Sequence, residues 1–397
     1  MVSVKNNIHS VLCCGCGGCE WVCPINCIKI KQNAEGFYAA LCDDKKCIGC
    51  GKCIKVCPMF NSLSSCQKTM ECYAAVSQEK NIYAMGASGG VFPQIAKYIL
   101  ENGGYVFGCG YDLNVPKHKE INLYSQLDDL CRSKYVQSFL GDCYVKVKVR
   151  LEEKIPVLFV GTPCQVSGLK KYLGKDYRSL YLIDIVCHGV PSAGMFQQHM
   201  EFLQDIKKKK VSRYEFRLKS NSAKKNKSYS VTYLYEDGSN DVKPYQKDVF
   251  FNEFYDTTSL NECCYQCPYA CDNRSGDITI GDFDWGKKYH PEYKDFDDIS
   301  CILINTEKGR RMTEWINRNM LMIPTKLEYI VEKNLNLVRP TVRPKYRNRI
   351  FKEIEKKGYK KWANQYFISI RYMKKLSIIK PFFYFKSLLK KIIIKSI

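Results

Sequence analysis

The chain has 397 residues, 45% of them apolar, and a formal net charge of +22. It is too apolar for a disordered chain and long enough to bury the cores of two or three domains. Between residues 331 and 397 lie 19 Lys or Arg against three Asp or Glu, so +16 of the +22 belongs to that end. No recognised motif accompanies this charge, which argues against nucleic acid as a partner.

The opening residues Met1–Ser10 hold no apolar run of the secretory kind, and no segment carries 18 uninterrupted apolar residues. The expected location is cytoplasmic, where thiols stay reduced, or peripheral to the inner face of the membrane.

Eleven of the 23 cysteines fall between Cys13 and Cys57. Cys13-x2-Cys16-x2-Cys19-x3-Cys23-Pro24 recurs 34 residues later as Cys47-x2-Cys50-x2-Cys53-x3-Cys57-Pro58. Thiols so closely spaced cannot pair as separate disulfides, and a zinc knuckle gains nothing from the third Cys or from Cys-Pro. Three thiolates of one C-x2-C-x2-C loop suit three corners of a cubane, while the fourth reaches across to the other cluster. Cys13, Cys16, Cys19 and Cys57 are therefore expected to hold one [4Fe–4S] cluster, and Cys47, Cys50, Cys53 and Cys23 a second. Residues 1–62 read as a dicluster bacterial-ferredoxin domain, held together by its clusters because large apolar side chains are few. Cys14, Cys27 and Cys42 lie outside the pattern and read as small buried fillers.

From Cys72 onward the pattern alternates between strand and helix. Ser88-Gly89-Gly90 precedes an amphipathic helix over Val91–Leu100, and Tyr105–Gly108 reads as a strand. Val157–Val160 and Leu180–Val186 read as strands buried on both faces, with a crossover helix over Gln165–Leu173 between them. Asp277–Asp282 is a further short strand, and a basic helical pattern starts near Tyr346, broken at Gly358. The expected fold class is α+β and α/β. The ferredoxin domain is followed by an α/β part in two portions, 70–150 and 151–335, and by a basic helical tail, 336–397.

Cys164 follows one strand, in Gly161-Thr162-Pro163-Cys164-Gln165. Cys187 ends the next, in Val186-Cys187-His188-Gly189-Val190-Pro191-Ser192. If these strands are parallel neighbours, both thiols emerge at the carboxyl edge of the sheet. Cys264-Tyr265-Gln266-Cys267 adds two more. These four are either a third site or free cysteines buried at strand ends. Read alone, Ser88-Gly89-Gly90 is an ordinary helix cap.

Together Ser88–Gly90, Ser133-Lys134-Tyr135-Val136-Gln137-Ser138, Gly161–Gln165, Cys187–Ser192, Cys264–Cys267 and Asp277–Asp282 resemble, in order, the β-subunit family of coenzyme F420 hydrogenase and dehydrogenase. That family includes β subunits of F420-reducing hydrogenase and formate dehydrogenase, and hydroxymethyl-chlorophyll reductase. The resemblance spans roughly residues 70 to 335. It implies FAD beside a further [4Fe–4S] cluster on Cys164, Cys187, Cys264 and Cys267, with Cys263 and Cys271 as spares.

The resemblance also implies flavin contacts. Ser88 would cap the helix while Gly89 and Gly90 admit the diphosphate to its first amides. Lys134 would neutralise that diphosphate, and Ser138, Thr162 and Gln165 would bond ribityl or ring atoms. Asp282, with Asp277, is either a flavin contact or a turn former. One departure from the family pattern stands out: Asp284 intervenes between Phe283 and Trp285-Gly286, which puts the usual substrate in doubt.

The expected function is that of an iron–sulfur flavoprotein oxidoreductase. It would join a two-electron organic partner (coenzyme F420-like deazaflavin or NAD(P)H) to a one-electron carrier such as ferredoxin or another redox subunit. Two alternatives stand beside it. One is a ferredoxin-dependent flavin reductase or oxidase of a sugar or lipid-linked intermediate; the other is a non-catalytic relay subunit of a larger complex. No catalytic side chain is assigned, and His188 reads as a strand-end hydrogen-bonding group. The segment Pro381–Ile397 reads as an amphipathic helix, lying either on an anionic membrane surface or on the body of the protein.

Overall fold

The structure, a computed structural model, describes residues 12–60, 66–217 and 230–366. The amphipathic segment 381–397 lies outside the described residues. No helix among the described residues is long and apolar enough to cross a membrane.

Residues 12–60 fold as two short helices, Gly18–Trp21 and Lys52–Lys55, around an antiparallel hairpin of β1 (Ile28–Gln32) and β2 (Tyr38–Cys42). Each helix starts at a glycine in the left-handed region, Gly17 (φ 78°) and Gly51 (φ 72°), where a side chain would be strained. The interior is largely thiol: Cys19, Cys27, Cys53 and Cys57 are buried with Ile28, Ala40 and Val56.

Then come a two-residue strand β3 (Gln67–Lys68), followed by β4 (Glu71–Ser77), β5 (Tyr105–Asp112), β6 (Val115–Ile121), β7 (Val157–Gly161) and β8 (Leu180–Ile185). After these lie β9 (Val211–Glu215), β10 (Ser230–Tyr235), β11 (Asn240–Pro244), β12 (Asn273–Arg274), β13 (Ile278–Asp282), β14 (Ser300–Ile304) and β15 (Met320–Pro324). Eight strands make the main sheet, in the order β15-β4-β14-β13-β8-β7-β5-β6. Its centre, β13-β8-β7-β5, is parallel, and the remaining pairings are antiparallel.

Val157, Leu158 and Phe159 of β7 are wholly buried, as a strand covered on both faces requires. The helices Val91–Glu101 and Glu307–Ile316 cover one face through Ile95, Ile99, Met312 and Ile316. Cys143–Glu152 and Pro163–Leu173 cover the other through Val147, Val166 and Leu169. Cys14 and Cys16 belong to that second layer, so the cysteine-rich module packs against this side of the sheet.

Between β8 and β12 the chain makes a smaller unit. The helix Ala193–Lys207, the antiparallel sheet β11-β10-β9 and the helix Val249–Tyr255 share one aromatic core. Ile354, Tyr359 and Ala363 complete that core. The helix Arg347–Lys357 ends at Gly358 (φ 77°), as the sequence pattern anticipates. Its Lys352 and Lys356 face solvent while Phe351 and Ile354 are buried, so the described part of the basic end is integral to the body.

Candidate functional site

The parallel register brings the carboxyl ends of β7, β8 and β13 to one edge. Thr162 caps the helix Pro163–Leu173 in a capping box with Gln165, and its hydroxyl lies 3.1 Å from Cys164 Sγ. Cys187 comes two residues after β8, its sulfur receiving the Gly189 amide at 3.4 Å. Cys264 and Cys267 come from the 3₁₀ turn Glu262–Gln266 and its end.

Burial raises the Cys187 thiol well above its ordinary value, and neighbouring Cys264, Cys164 and Cys267 add to this. Cys267 is pushed up to about 12 by burial, then by Cys164 and Cys264. These four thiols, distant in sequence, thus crowd together. Cys271 does not join them, because its sulfur points to the carbonyls of Pro268 and Asn273, at 3.5 Å each. Gly189 (φ 115°) allows the approach: a Cβ there would stand 2.7 Å from Leu260 and 3.1 Å from the Cys264 Cβ.

In the N-terminal module, Cys19 is raised well above its ordinary value by burial and then by Cys16, Cys13 and Cys57. Cys57 is pushed to about 12 by burial and then by Cys16. Cys23, Cys47, Cys50 and Cys53 line one small open pocket together with Cys27. Crowded thiols oppose each other's ionisation, and a cationic iron–sulfur core reverses that opposition. Soft sulfur donors without competing carboxylates suit such a core.

The first and third cysteine groups adjoin. Cys14 is buried with both Cys16 and Cys164, and its interactions with these two thiols, ahead of burial, raise its own pKa well above the usual value. The same interactions lower Cys16 and Cys164. Cys263 is buried beside Cys264, Cys164 and Cys13. Polar side chains stitch this junction. Gln137 donates to the Cys14 and Tyr38 carbonyls and accepts from the Tyr38 amide at 2.7 Å. Asn261 donates to Cys13 O at 3.1 Å, and Tyr269 to Pro58 O at 2.6 Å. Arg347, 1% exposed, makes a two-pronged bond to Glu35.

Nothing in the cysteine spacing reveals this junction. The tandem Cys13-Cys14 and Cys263-Cys264 pairs are its nearest sequence signal. Gly168 sets the closest approach: a Cβ there would lie 2.8 Å from Tyr144 Oη and 3.1 Å from Cys16 Sγ. Gly168→Val is expected to destabilise the chain by about 1–3 kcal/mol through overpacking and to perturb the iron signal of the first group. Unchanged thermal unfolding and electron paramagnetic resonance (EPR) spectra would refute that role.

The residues expected to touch flavin are spread along the same carboxyl edge. Ser88 is not the helix cap; Gly90 (φ 86°) holds that position and Ser88 Oγ donates to Ile299 O at 2.8 Å. Gly89 answers to packing, since a Cβ there would lie 2.1 Å from Ala75 O and 2.8 Å from the Ser300 amide. Gln165 accepts from the Thr162 amide and donates to Ser138 Oγ, both at 3.0 Å. Ser138 in turn meets His118 Nδ1 at 3.0 Å, and His118 Nε2 meets Val160 O at 3.1 Å. Ser138 and Gln165 are thus bonded to one another within the protein.

Lys134 donates to Cys131 O at 2.7 Å and faces the Tyr111 ring. No carboxylate pairs with it among the described residues, and burial lowers its pKa.

Desolvation depresses His118 to about 4. The folded state therefore binds fewer protons than the unfolded one between pH 6.5 and about 4. Stability present above pH 6.5 is expected to fall by about 3 kcal/mol across that window. Anaerobic denaturation at about pH 7 and about pH 5 checks this; His118→Asn should flatten the difference.

At the end of β13, Asp282 pairs with Arg217, which also reaches Tyr135 Oη at 3.2 Å. Asp284 is raised by burial and then by Asp282. His188, exposed at the mouth of this region, is lowered by desolvation although Asp282 and Asp284 pull it upward. Lys333 stands over the Trp285 ring at 4.1 Å. Asp277 lies at the opposite end of β13, where it receives the Leu182 amide at 2.9 Å.

Residues 156–326 match the family model for the C terminus of the coenzyme F420 hydrogenase/dehydrogenase beta subunit, and residues 12–61 match a 4Fe-4S dicluster domain. No curated protein matches the chain. Among solved structures, a chain of the F420-reducing [NiFe] hydrogenase complex from Methanosarcina barkeri, studied by xenon derivatization, is 16% identical with a TM-score of 0.46. That match covers 69% of this chain and 91% of the other. The chain is thus an iron–sulfur protein related, over residues 156–326, to the coenzyme F420 hydrogenase/dehydrogenase beta subunit, with a 4Fe–4S dicluster domain at residues 12–61.

Proposed function

We propose that the chain is a flavin-dependent oxidoreductase subunit that passes single electrons along three cysteine-held clusters. The observation that carries this reading is the junction: Cys14 is buried in one cluster with Cys16 of the dicluster module and Cys164 at the sheet edge. Electron transfer demands such closeness. The order would run from the outer group, Cys23, Cys47, Cys50 and Cys53, through Cys13, Cys16, Cys19 and Cys57, to Cys164, Cys187, Cys264 and Cys267.

FAD, when bound, would exchange an electron pair with the organic partner and single electrons with iron. The supporting residues lie along the edge from β14 to β5, about 19 Å at ordinary strand spacing. Lys134, an ammonium without a carboxylate partner among the described residues, suits the diphosphate. The group of His188, Asp282 and Asp284 at the end of β13, with Trp285 next in the chain, suits the organic substrate, which we take to be a deazaflavin or a nicotinamide.

At the far end Cys50 is exposed beside Ile25 and Ile48, the latter 61% exposed. Such apolar exposure favours a docking redox partner, a ferredoxin or another subunit.

Anaerobic purification with iron, sulfide and flavin analysis tests the reading. About twelve iron and one FAD per chain are expected; about eight iron, or no flavin, would refute the corresponding part. Rapid flavin bleaching by reduced F420 or NAD(P)H supports the shuttle. Turnover only with reduced ferredoxin and an organic acceptor supports the reductase alternative instead.

A further inference from the structure

Two thiols remain outside the three groups, next to the outermost one. Cys27 directly precedes β1 and Cys42 ends β2, so the hairpin register brings both to its open end. The turn after β2, closed by bonds from the Lys46 and Cys47 amides to Asp43 O at 3.1 Å, folds Cys47 back onto them. The sulfurs of Cys27, Cys42 and Cys47 all lie within 4.8 Å of one another. Cys27 Sγ stands 3.9 Å from Cys42 Sγ and 3.4 Å from Cys23 Sγ.

These spacings discriminate between two kinds of metal centre. A single tetrahedral ion with metal–sulfur bonds of about 2.3 Å places its sulfurs about 3.8 Å apart. A cubane puts each thiolate on a different iron and so spreads them much further. The Cys27–Cys42–Cys47 triangle has the dimensions of the first kind. Cys27 is buried, while Cys42 and Cys47 are partly exposed, which leaves an entry path.

We propose that Cys27, Cys42 and Cys47 form a mononuclear site for one soft divalent cation of the Zn²⁺ or Fe²⁺ class, with the fourth position open to solvent. Each coordinating thiol gives its proton to solvent on binding. Cys47 also belongs to the proposed outer cubane, so the two centres exclude one another; this clause rests on the cubane reading. The site would keep the hairpin cross-linked when the outer cluster is lost, where the domain has little apolar core to hold it.

The test uses the full chain, purified anaerobically, with Co²⁺ as the probe and the ligand-field absorption of tetrahedral cobalt thiolate as the readout. C50S/C53S removes outer-cubane ligands without touching the triangle, and is expected to bind about one Co²⁺ per chain. C27S/C42S/C50S/C53S is expected to bind none. If that variant does not fold, C42S/C50S/C53S serves, with affinity lowered at least about tenfold.

Absence of Co²⁺ binding by C50S/C53S, or equal binding after Cys27 and Cys42 are also replaced, overturns the site. Co²⁺ uptake by the fully iron-loaded chain without loss of iron overturns the exclusion alone. An iron count showing no outer cubane in the unsubstituted chain removes the exclusion and leaves the Co²⁺ comparison to decide the site.

Discussion

Cys187→Ser is expected to lower iron from about twelve to about eight per chain while leaving both clusters of the N-terminal module in place. A serine hydroxyl ionises far less readily than a thiol and is a harder donor, so the third cubane would lose a corner. The retained clusters have ligands elsewhere, on loops that Cys187 does not enter. The crowding around it is specific, for Cys264, Cys164 and Cys267 are the thiols that oppose its ionisation.

Cys271→Ser gives the contrast. That sulfur faces two backbone carbonyls, and its loss should leave iron unchanged. Equal iron in the Cys187→Ser protein and the unsubstituted chain, or equal loss in both variants, would refute the third centre as assigned. EPR of the dithionite-reduced proteins gives the same comparison without relying on total iron.

The second large effect concerns the anchor beneath that centre. Arg274→Ala is expected to cost about 3–5 kcal/mol, because Asp184 would remain as a buried charge without its partner. Asp184 is fully buried and Arg274 is 1% exposed, with Arg274 Nη2 donating to Asp184 Oδ1 at 2.9 Å. The remaining donors of Arg274 reach Thr279 Oγ1 and the carbonyls of Tyr269, Cys271 and Ile185. The side chain thus ties the cysteine loop to the end of β8.

Arg274→Lys should recover little, since one ammonium cannot span that fork of acceptors. Replacing Arg274 and Asp184 together by apolar residues should cost less than the sum of the single changes. Anaerobic urea unfolding measures all three. A loss below about 1 kcal/mol in Arg274→Ala would show the pair to be expendable.

Much of the chemistry was legible in the residues because it is local. A C-x2-C-x2-C-x3-C-P run carries its ligand geometry within one loop, and its repetition 34 residues on marks the partner loop. The apolar runs Val157–Val160 and Leu180–Val186 likewise announced strands covered on both faces, and β7 and β8 are parallel neighbours. The observed ends differ by a residue or two; the crossover helix starts at Pro163, since a proline is readily accommodated in a first turn.

Roles that depend on distant contacts are not legible along one segment. Ser88 looked like a cap by position alone, yet its hydroxyl is claimed by Ile299, 211 residues away. Cys14 and Cys27 are buried, as expected of fillers, but only the packing shows that Cys14 shares a cluster with Cys16 and Cys164 and that Cys27 Sγ stands 3.4 Å from Cys23 Sγ. Gln137, to which no role is assigned from the residues, is bonded to the N-terminal module.

Local spacing alone specifies the two cubane motifs, the alternation of strand and helix, and the order of motifs that marks the family. Each is encoded along one short segment, through thiolate geometry or side-chain periodicity. Long-range packing, by contrast, is what sets the first cysteine group against Cys164 and brings Cys27, Cys42 and Cys47 together at the open end of a hairpin. Those meetings follow from sheet register and from the close packing that Gly168 and Gly189 permit, and neither is carried by any local pattern of residues.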